Sequence, residues 1–290
     1  MHFLNVGHLS EMTARFSHAM TGAYPEDADA VPAAYREAIK PLRPMPAEEI
    51  GISVSYEDGA WAQHCREEKI FAHIVGPATA SDGPTRERWD GHIRAAVQLI
   101  HDMNPDLGRW VDLFVTDIVV FNSGADGGGS ANTLPGVVLM SPSDEWEVMQ
   151  YAECIVHEGL HTALFILDVV EPLFTLPPSE LEKDEYRALS AVKIGQKRPL
   201  HAAFHAAVVA VPLMYIEHRL GTGDLVEKYS ASLRDACADM QVQREQFTVY
   251  GRMLLDEMTE WAETLDFDEV ERSISHPDYS GYKPVSVAAA

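Results

Sequence analysis

Two imidazoles and a carboxylate within five residues are the part of this chain best equipped for chemistry. His157, Glu158 and His161 spell His-Glu-x-x-His inside the segment Tyr151 to Ala163. On a helix, residues four apart sit one turn above each other on the same face, so both imidazoles can reach one metal ion. Glu158, one step round, can act beside that ion as a base or as an anchor for a ligand. With 13 His in 290 residues, chance alone produces the pattern in roughly one such chain in twenty, so its setting decides.

The setting is helical. Met149, Cys154, Ile155, Val156, Leu160, Leu164, Phe165 and Leu167 recur at helical spacing. They predict a buried or half-buried helix opened by Ser143 as N-cap, with Glu145 and Glu147 in its first turns. Burying two imidazoles and a carboxylate there without a shared partner would be costly. Cys154 could approach the same ion, but reads more simply as a small buried thiol.

Two histidines do not complete a site, and the type of the third ligand separates two chemistries. Glu180, Glu182 and Glu185 follow His161 at a distance that suits a zinc peptidase, in which zinc with an open position activates water and Glu158 serves as base. An acidic solvated helix face explains the same glutamates. The other source is Lys197-Arg198-Pro199-Leu200-His201-Ala202-Ala203-Phe204-His205. Pro199 suits the first turn of a helix that puts His201 and His205 on one face, with small alanines to admit a close neighbour. The longer pattern with a third histidine six residues after His161 is absent, because position 167 is Leu.

The rest of the chain must position these residues. The fold expected is α+β and predominantly helical: a zincin-like metal helix beside a small β-sheet or hairpin, packed with several long helices. Residues 1–105 read as a helical N-terminal region, with helices over Leu9 to Met20, Ala30 to Ile39, Trp61 to Ile74 and Pro84 to His101. Residues 106–265 carry the metal motif and 266–290 form a tail, all within one compact unit. Val111 to Phe121 reads as the strongest strand and Gly136 to Met140 as a second. Between them the glycine run of Asn122 to Pro135 lacks the Gly-Lys-Ser/Thr of a phosphate loop and is expected to be a hairpin loop or lid. An edge strand beside a metal can hold an extended peptide. Asp168 to Pro178 reads as a loop, Leu181 to Ile194 as helical, Ala202 to Ile216 as a buried helix, and Asp224 to Leu265 as one or two helices. His8, His18, His64, His73, His92, His101 and His218 lack ligand spacing and are read as structural or surface residues.

The net charge of −23 argues against nucleic acid or an anionic membrane as partner and favours neutral or basic ones. Three cysteines far apart suggest a reducing cytoplasm rather than a disulfide framework. The start, Met-His-Phe-Leu-Asn-Val-Gly-His, lacks the basic and long apolar regions of a signal peptide, and Ala202 to Ile216 is short and carries His205 and Pro212. A cytoplasmic location is therefore expected.

Several segments resemble one known family. They are Gly136-Val137-Val138-Leu139, His157-Glu158-Gly159-Leu160-His161 with Ala163-Leu164-Phe165-Ile166-Leu167-Asp168, Arg198-Pro199-Leu200-His201-Ala202-Ala203-Phe204-His205-Ala206, and Phe247-Thr248-Val249-Tyr250-Gly251. In these the chain is similar to the HExxH-motif peptide-modification proteins of ribosomal peptide pathways, iron- and 2-oxoglutarate-dependent peptide β-hydroxylases. The likeness covers roughly residues 110 to 260; Gly159-Leu160 departs from the bulkier residues expected there. It implies an Fe(II) held by His157, His161 and His205, with positions left for a 2-oxo acid and O₂. It also implies 2-oxoglutarate as cofactor, a precursor peptide as substrate, and Glu158 as orienting or substrate-binding group. Arg198 is the expected cation for the distal carboxylate of the cofactor, which a guanidinium can grip bidentately.

Overall fold

The computed structural model describes residues 1–48 and 50–275; the end of the expected tail lies outside them. The architecture is α+β with helices predominating, as the sequence predicts. In chain order the elements are α1 (Val6–Thr21), α2 (Val31–Ile39), β1 (Ser53–Tyr56), α3 (Ala60–Glu67), α4 (Ala72–Val75), α5 (Gly83–Met103) and α6 (Pro105–Phe114). Then come β2 (Asp117–Val120), β3 (Gly127–Gly129), β4 (Val137–Ser141), α7 (Val148–Val170), α8 (Pro178–Leu181), β5 (Arg187–Leu189) and β6 (Lys197–Pro199). The last are α9 (Leu200–Leu220), α10 (Asp224–Val242), α11 (Val249–Thr264) and α12 (Phe267–Ser275). The chain divides into two compact units, one of residues 16–165 and one of residues 1–15 with 166–290.

The unit of residues 16–165 is built on a four-stranded sheet in the order β1-β2-β4-β3. Strands β1, β2 and β4 run parallel, and β3 lies antiparallel to β4 at the edge. Side chains alternate between faces along each strand. Val119, Val137 and Leu139 therefore share one face, where they pack with Trp61, Cys65, Ile74 and Val75 from α3 and α4. Gly128 pairs with Met140 and so belongs to the opposite face.

A buried ion pair sits at the start of β2. The Arg43 guanidinium binds Asp117 at 2.5 Å and donates to Thr116 Oγ1 at 2.7 Å and to the Pro135 carbonyl at 3.2 Å. Trp61 Nε1 donates to the other Asp117 oxygen at 3.1 Å. Arg43 Nε also donates to the Met45 carbonyl at 2.8 Å, and Asp117 accepts a third hydrogen bond, from Thr116 Oγ1 at 2.8 Å, so this cluster avoids the penalty of a lone buried charge.

The expected strand Val111 to Phe121 is divided in two. Asn104 caps α6 by accepting from the amides of Asp106 and Leu107, and Pro105 fits its first position, so helix continues through Phe114. Strand begins only at Asp117. The region 1–105 is not wholly helical, since it supplies β1. The expected loop or lid at the glycine run contains β3, and β2 and β4 are parallel neighbours rather than a hairpin. Helix α7 opens at Val148, so Ser143 is not its N-cap, and it extends to Val170, placing Asp168 on the helix.

In the unit of residues 1–15 and 166–290, the segment read as helical over Leu181 to Ile194 is mostly a short hairpin. Leu189 pairs with Lys197 and Arg187 with Pro199, and Asp239 of α10 accepts from Leu189 N at 2.8 Å. Residues 224–265 form two helices, α10 and α11, and part of the expected tail is α12, with Val270 and Ile274 buried. Helix α9 is long and apolar enough, by length and composition, to cross a membrane, but 83% of its apolar stretch is buried inside the protein. That burial is the state of a core helix.

Candidate metal centre

Helix α7 brings the motif together as its spacing requires. The Nε2 atoms of His157 and His161 lie 3.2 Å apart. Two imidazole nitrogens bound at 2.0–2.1 Å to one ion, at angles between octahedral and tetrahedral, stand about 2.8 to 3.4 Å apart. The separation of the pair falls within the range a shared ion requires. Glu158 Oε1 is 3.8 Å from His157 Nε2, and among the described residues these three offer ligand atoms all within 4.8 Å of one another.

Glu158 is the buried member, 6% exposed. Its Oε2 accepts a hydrogen bond of 2.7 Å from Ser130 Oγ. Burial raises the pKa of its carboxyl group, against the opposing effects of the neighbouring His157 and of the Ser130 hydrogen bonds. Cys154, one turn earlier, has its thiol pushed well up by burial, as expected for a packing residue.

Helix α7 lies close to both α6 and the sheet edge. A Cβ on Gly159 would meet Val115 at 3.1 Å and Trp110 at 3.4 Å, while Leu160 is fully buried. These two positions serve packing. On the sheet side, a Cβ on Gly128 would stand 2.6 Å from Cys154 Sγ and 3.2 Å from Glu158 Cγ. Gly129 faces the other way, where a Cβ would meet the Phe71 ring at 2.7 Å. The glycine run is therefore a strand pressed between the motif helix and Phe71, and Ser130, directly after it, holds Glu158. Sequence reading missed this role. The available signal was a triplet of glycines flanked by two apolar strands.

The remaining candidates, Arg198, His201 and His205, belong to the second unit. Arg198 lies in β6, and Pro199 is the N-cap position of α9, whose first turns carry His201 and His205. Desolvation, with His201 and Arg198 nearby, pushes the His205 pKa down to about 3. Its imidazole is therefore neutral, with a lone pair to offer. His201 Nε2 is 3.6 Å from Glu182 Oε1, its Nδ1 is buried without a partner among the described residues, and burial lowers its pKa. Arg198 is half-buried, and its side chain makes no hydrogen bond or ion pair among the described residues.

The glutamates of the peptidase alternative are placed less well. Glu180 pairs with Lys183 at the surface, Glu182 faces His201 with its side chain 61% exposed, and Glu185 is exposed. Other histidines have structural partners: His8 Nε2 meets Tyr250 OH at 2.7 Å, and His101 Nε2 lies 3.0 Å from Asp112.

Fold and site together define a helix-rich α+β protein with a candidate mononuclear metal centre on one helix beside a sheet edge. No family model and no curated protein matches the chain.

Proposed function

We propose that the protein is an Fe(II)- and 2-oxoglutarate-dependent hydroxylase acting on the β-carbon of side chains in a ribosomally made peptide, in the cytoplasm. The observation that carries the metal part is the 3.2 Å approach of His157 and His161 Nε2. The choice of iron rests on the resemblance, which supplies His205 as third ligand. Bound Fe(II) with 2-oxoglutarate and O₂ would couple oxidative decarboxylation to hydroxylation.

In this reading the chain's own residues divide the work. His157, His161 and His205 hold the ion, and the lowered pKa of His205 suits that role. Arg198, with no protein anion to pair with among the described residues, grips the distal carboxylate of the 2-oxo acid. Glu158, held on one oxygen by Ser130, orients a neighbour or takes a substrate amide.

A zinc metallopeptidase is the second reading, favoured by Glu158 lying beside the histidine pair and by the nearby sheet edge. The exposure and ion pairing of Glu180, Glu182 and Glu185 weigh against it. Elemental analysis of anaerobically purified protein, with Glu158→Gln assayed alongside, separates the two. Iron with residual 2-oxoglutarate turnover in the variant supports the hydroxylase. Zinc lost in Glu182→Ala or Glu185→Ala, with peptide cleavage abolished by Glu158→Gln, supports the peptidase. No retained metal, with no effect of His157→Ala, discards both.

A further inference from the structure

We propose that Ser130 is a positioning residue for the motif carboxylate: by binding Oε2 of Glu158 it turns Oε1 toward the histidine pair, where that oxygen accepts a hydrogen bond from a neutral N–H or O–H donor. Ser130 stands 28 residues before Glu158 in the chain and outside the motif. Its hydroxyl donates to Oε2 at 2.7 Å, and its main-chain N–H bonds the same carboxyl group. Oε1 lies 3.8 Å from His157 Nε2, too far for a hydrogen bond. Among the described residues no group other than Ser130 hydrogen-bonds the Glu158 side chain.

The stem of Glu158 is held as well as its head. Gly128 approaches so closely that a Cβ there would stand 3.2 Å from Glu158 Cγ, and Gly128 is itself placed by its pairing with Met140 of β4. A glutamate side chain has several rotatable bonds, and a free one would sample many directions. Here packing against β3 limits the stem, and the residue directly after β3 ties down one oxygen. The direction of the other oxygen follows. The Nε2 atoms of His157 and His161 are 3.2 Å apart, and one ligand atom from each of the three motif residues falls within 4.8 Å of the others. A donor held at the histidine pair is therefore within reach of Oε1.

Two roles for Ser130 are separable. If it only ties the strand to the helix, its loss acts through the fold, whatever stands at position 158. If it positions Glu158, its effect on a bound donor vanishes once the carboxylate is gone, which is the coupling a double-mutant cycle measures. Groups that orient others at a metal site in this way typically act on affinity or activity by about 10- to 100-fold. The inference deepens the proposed function and rests on its ion at His157 and His161, but not on that ion being iron or on 2-oxoglutarate.

The probe is acetohydroxamate, which chelates a metal through its two oxygens and keeps an N–H to donate. It is titrated into full-length protein loaded with Co(II), and binding is read from the visible absorption of the cobalt. Ser130→Ala should take up Co(II) as the parent does but bind the probe roughly tenfold more weakly. Ser130→Thr, which keeps the hydroxyl, should recover most of that loss. In a Glu158→Ala background, adding Ser130→Ala should change the probe affinity no further. Equal probe affinity in Ser130→Ala and the parent would overturn the proposal, as would the same loss in the Glu158→Ala background. A Ser130→Thr protein folded like the parent but binding no better than Ser130→Ala would also overturn it. If the parent takes up no cobalt, the metal centre and the proposal fall together. The expected probe series without succinate from the iron-loaded parent would remove the hydroxylase reading and keep the role of Ser130. Succinate formation with probe affinity unchanged in Ser130→Ala would do the reverse.

Discussion

Gly128 of β3 backs onto Cys154 of α7 so closely that a Cβ would stand 2.6 Å from the sulfur and 3.1 Å from the Leu139 carbonyl oxygen. Neither obstacle is the end of a long flexible side chain. Gly128→Ala should therefore destabilise the protein by about 1–3 kcal/mol through overpacking. Gly127→Ala, with nothing within 4 Å of the added carbon, should stay within about 0.5 kcal/mol of the parent. Thermal unfolding of the two variants checks this; equal midpoints would mean that β3 does not press on the motif helix.

The Arg43–Asp117 pair makes a second contrast. The Arg43 side chain is fully buried and that of Asp117 is 7% exposed. Arg43→Ala would strand a buried carboxylate and should cost about 3–5 kcal/mol. Arg88, paired with Asp144 at 2.8 Å at the surface, should cost about 0–1 kcal/mol when replaced by alanine. Urea titrations of both variants give the comparison, and similar losses would deny the cluster its role in holding the sheet.

Acid should destabilise the fold through His8. Burial, followed by the neighbouring His2 and Arg15, lowers its pKa from 6.5 to about 3. The unfolded chain binds the proton below pH 6.5 while the folded chain refuses it until about 3, so stability falls as pH drops across that window. At pH 5 the loss from this group is about 2 kcal/mol relative to neutral pH. Unfolding free energies at pH 7 and 5 measure it, and His8→Gln should flatten the difference. A stability that rises toward pH 5 in the parent would contradict the assignment.

Arg198 should govern use of the 2-oxo acid more than folding. Its half-buried side chain has no partner among the described residues, so Arg198→Ala removes no internal ion pair. We expect the KM for 2-oxoglutarate to rise at least tenfold with unfolding unchanged, and Arg198→Lys to recover part of it, since an ammonium cannot reproduce the bidentate grip. An unchanged KM in Arg198→Ala would move the carboxylate site elsewhere.

What the sequence showed plainly were features encoded by neighbours along the chain. The His157/His161 pairing follows from helical geometry alone, and Asn104-Pro105 marks a helix start that the structure uses. The misread segments depend on distant residues. Val111 to Phe114 suits strand or helix by composition, and the Asn104 cap settled it as helix. The acidic stretch after Leu181 looked like a solvated helix, yet Arg187–Leu189 forms a strand with Lys197–Pro199 and has its Leu189 amide bound by Asp239. The glycines of β3 looked like a loop because the reason for them, Cys154 and Phe71, lies elsewhere in the chain.

The most direct test of the metal reading is succinate formed from 2-oxoglutarate and O₂ by Fe(II)-loaded protein, parent against His205→Ala. The account predicts multiple turnovers for the parent and a loss of at least a hundredfold in the variant, with both folded to the same extent. No succinate from the parent, or an undiminished rate in His205→Ala, would contradict it.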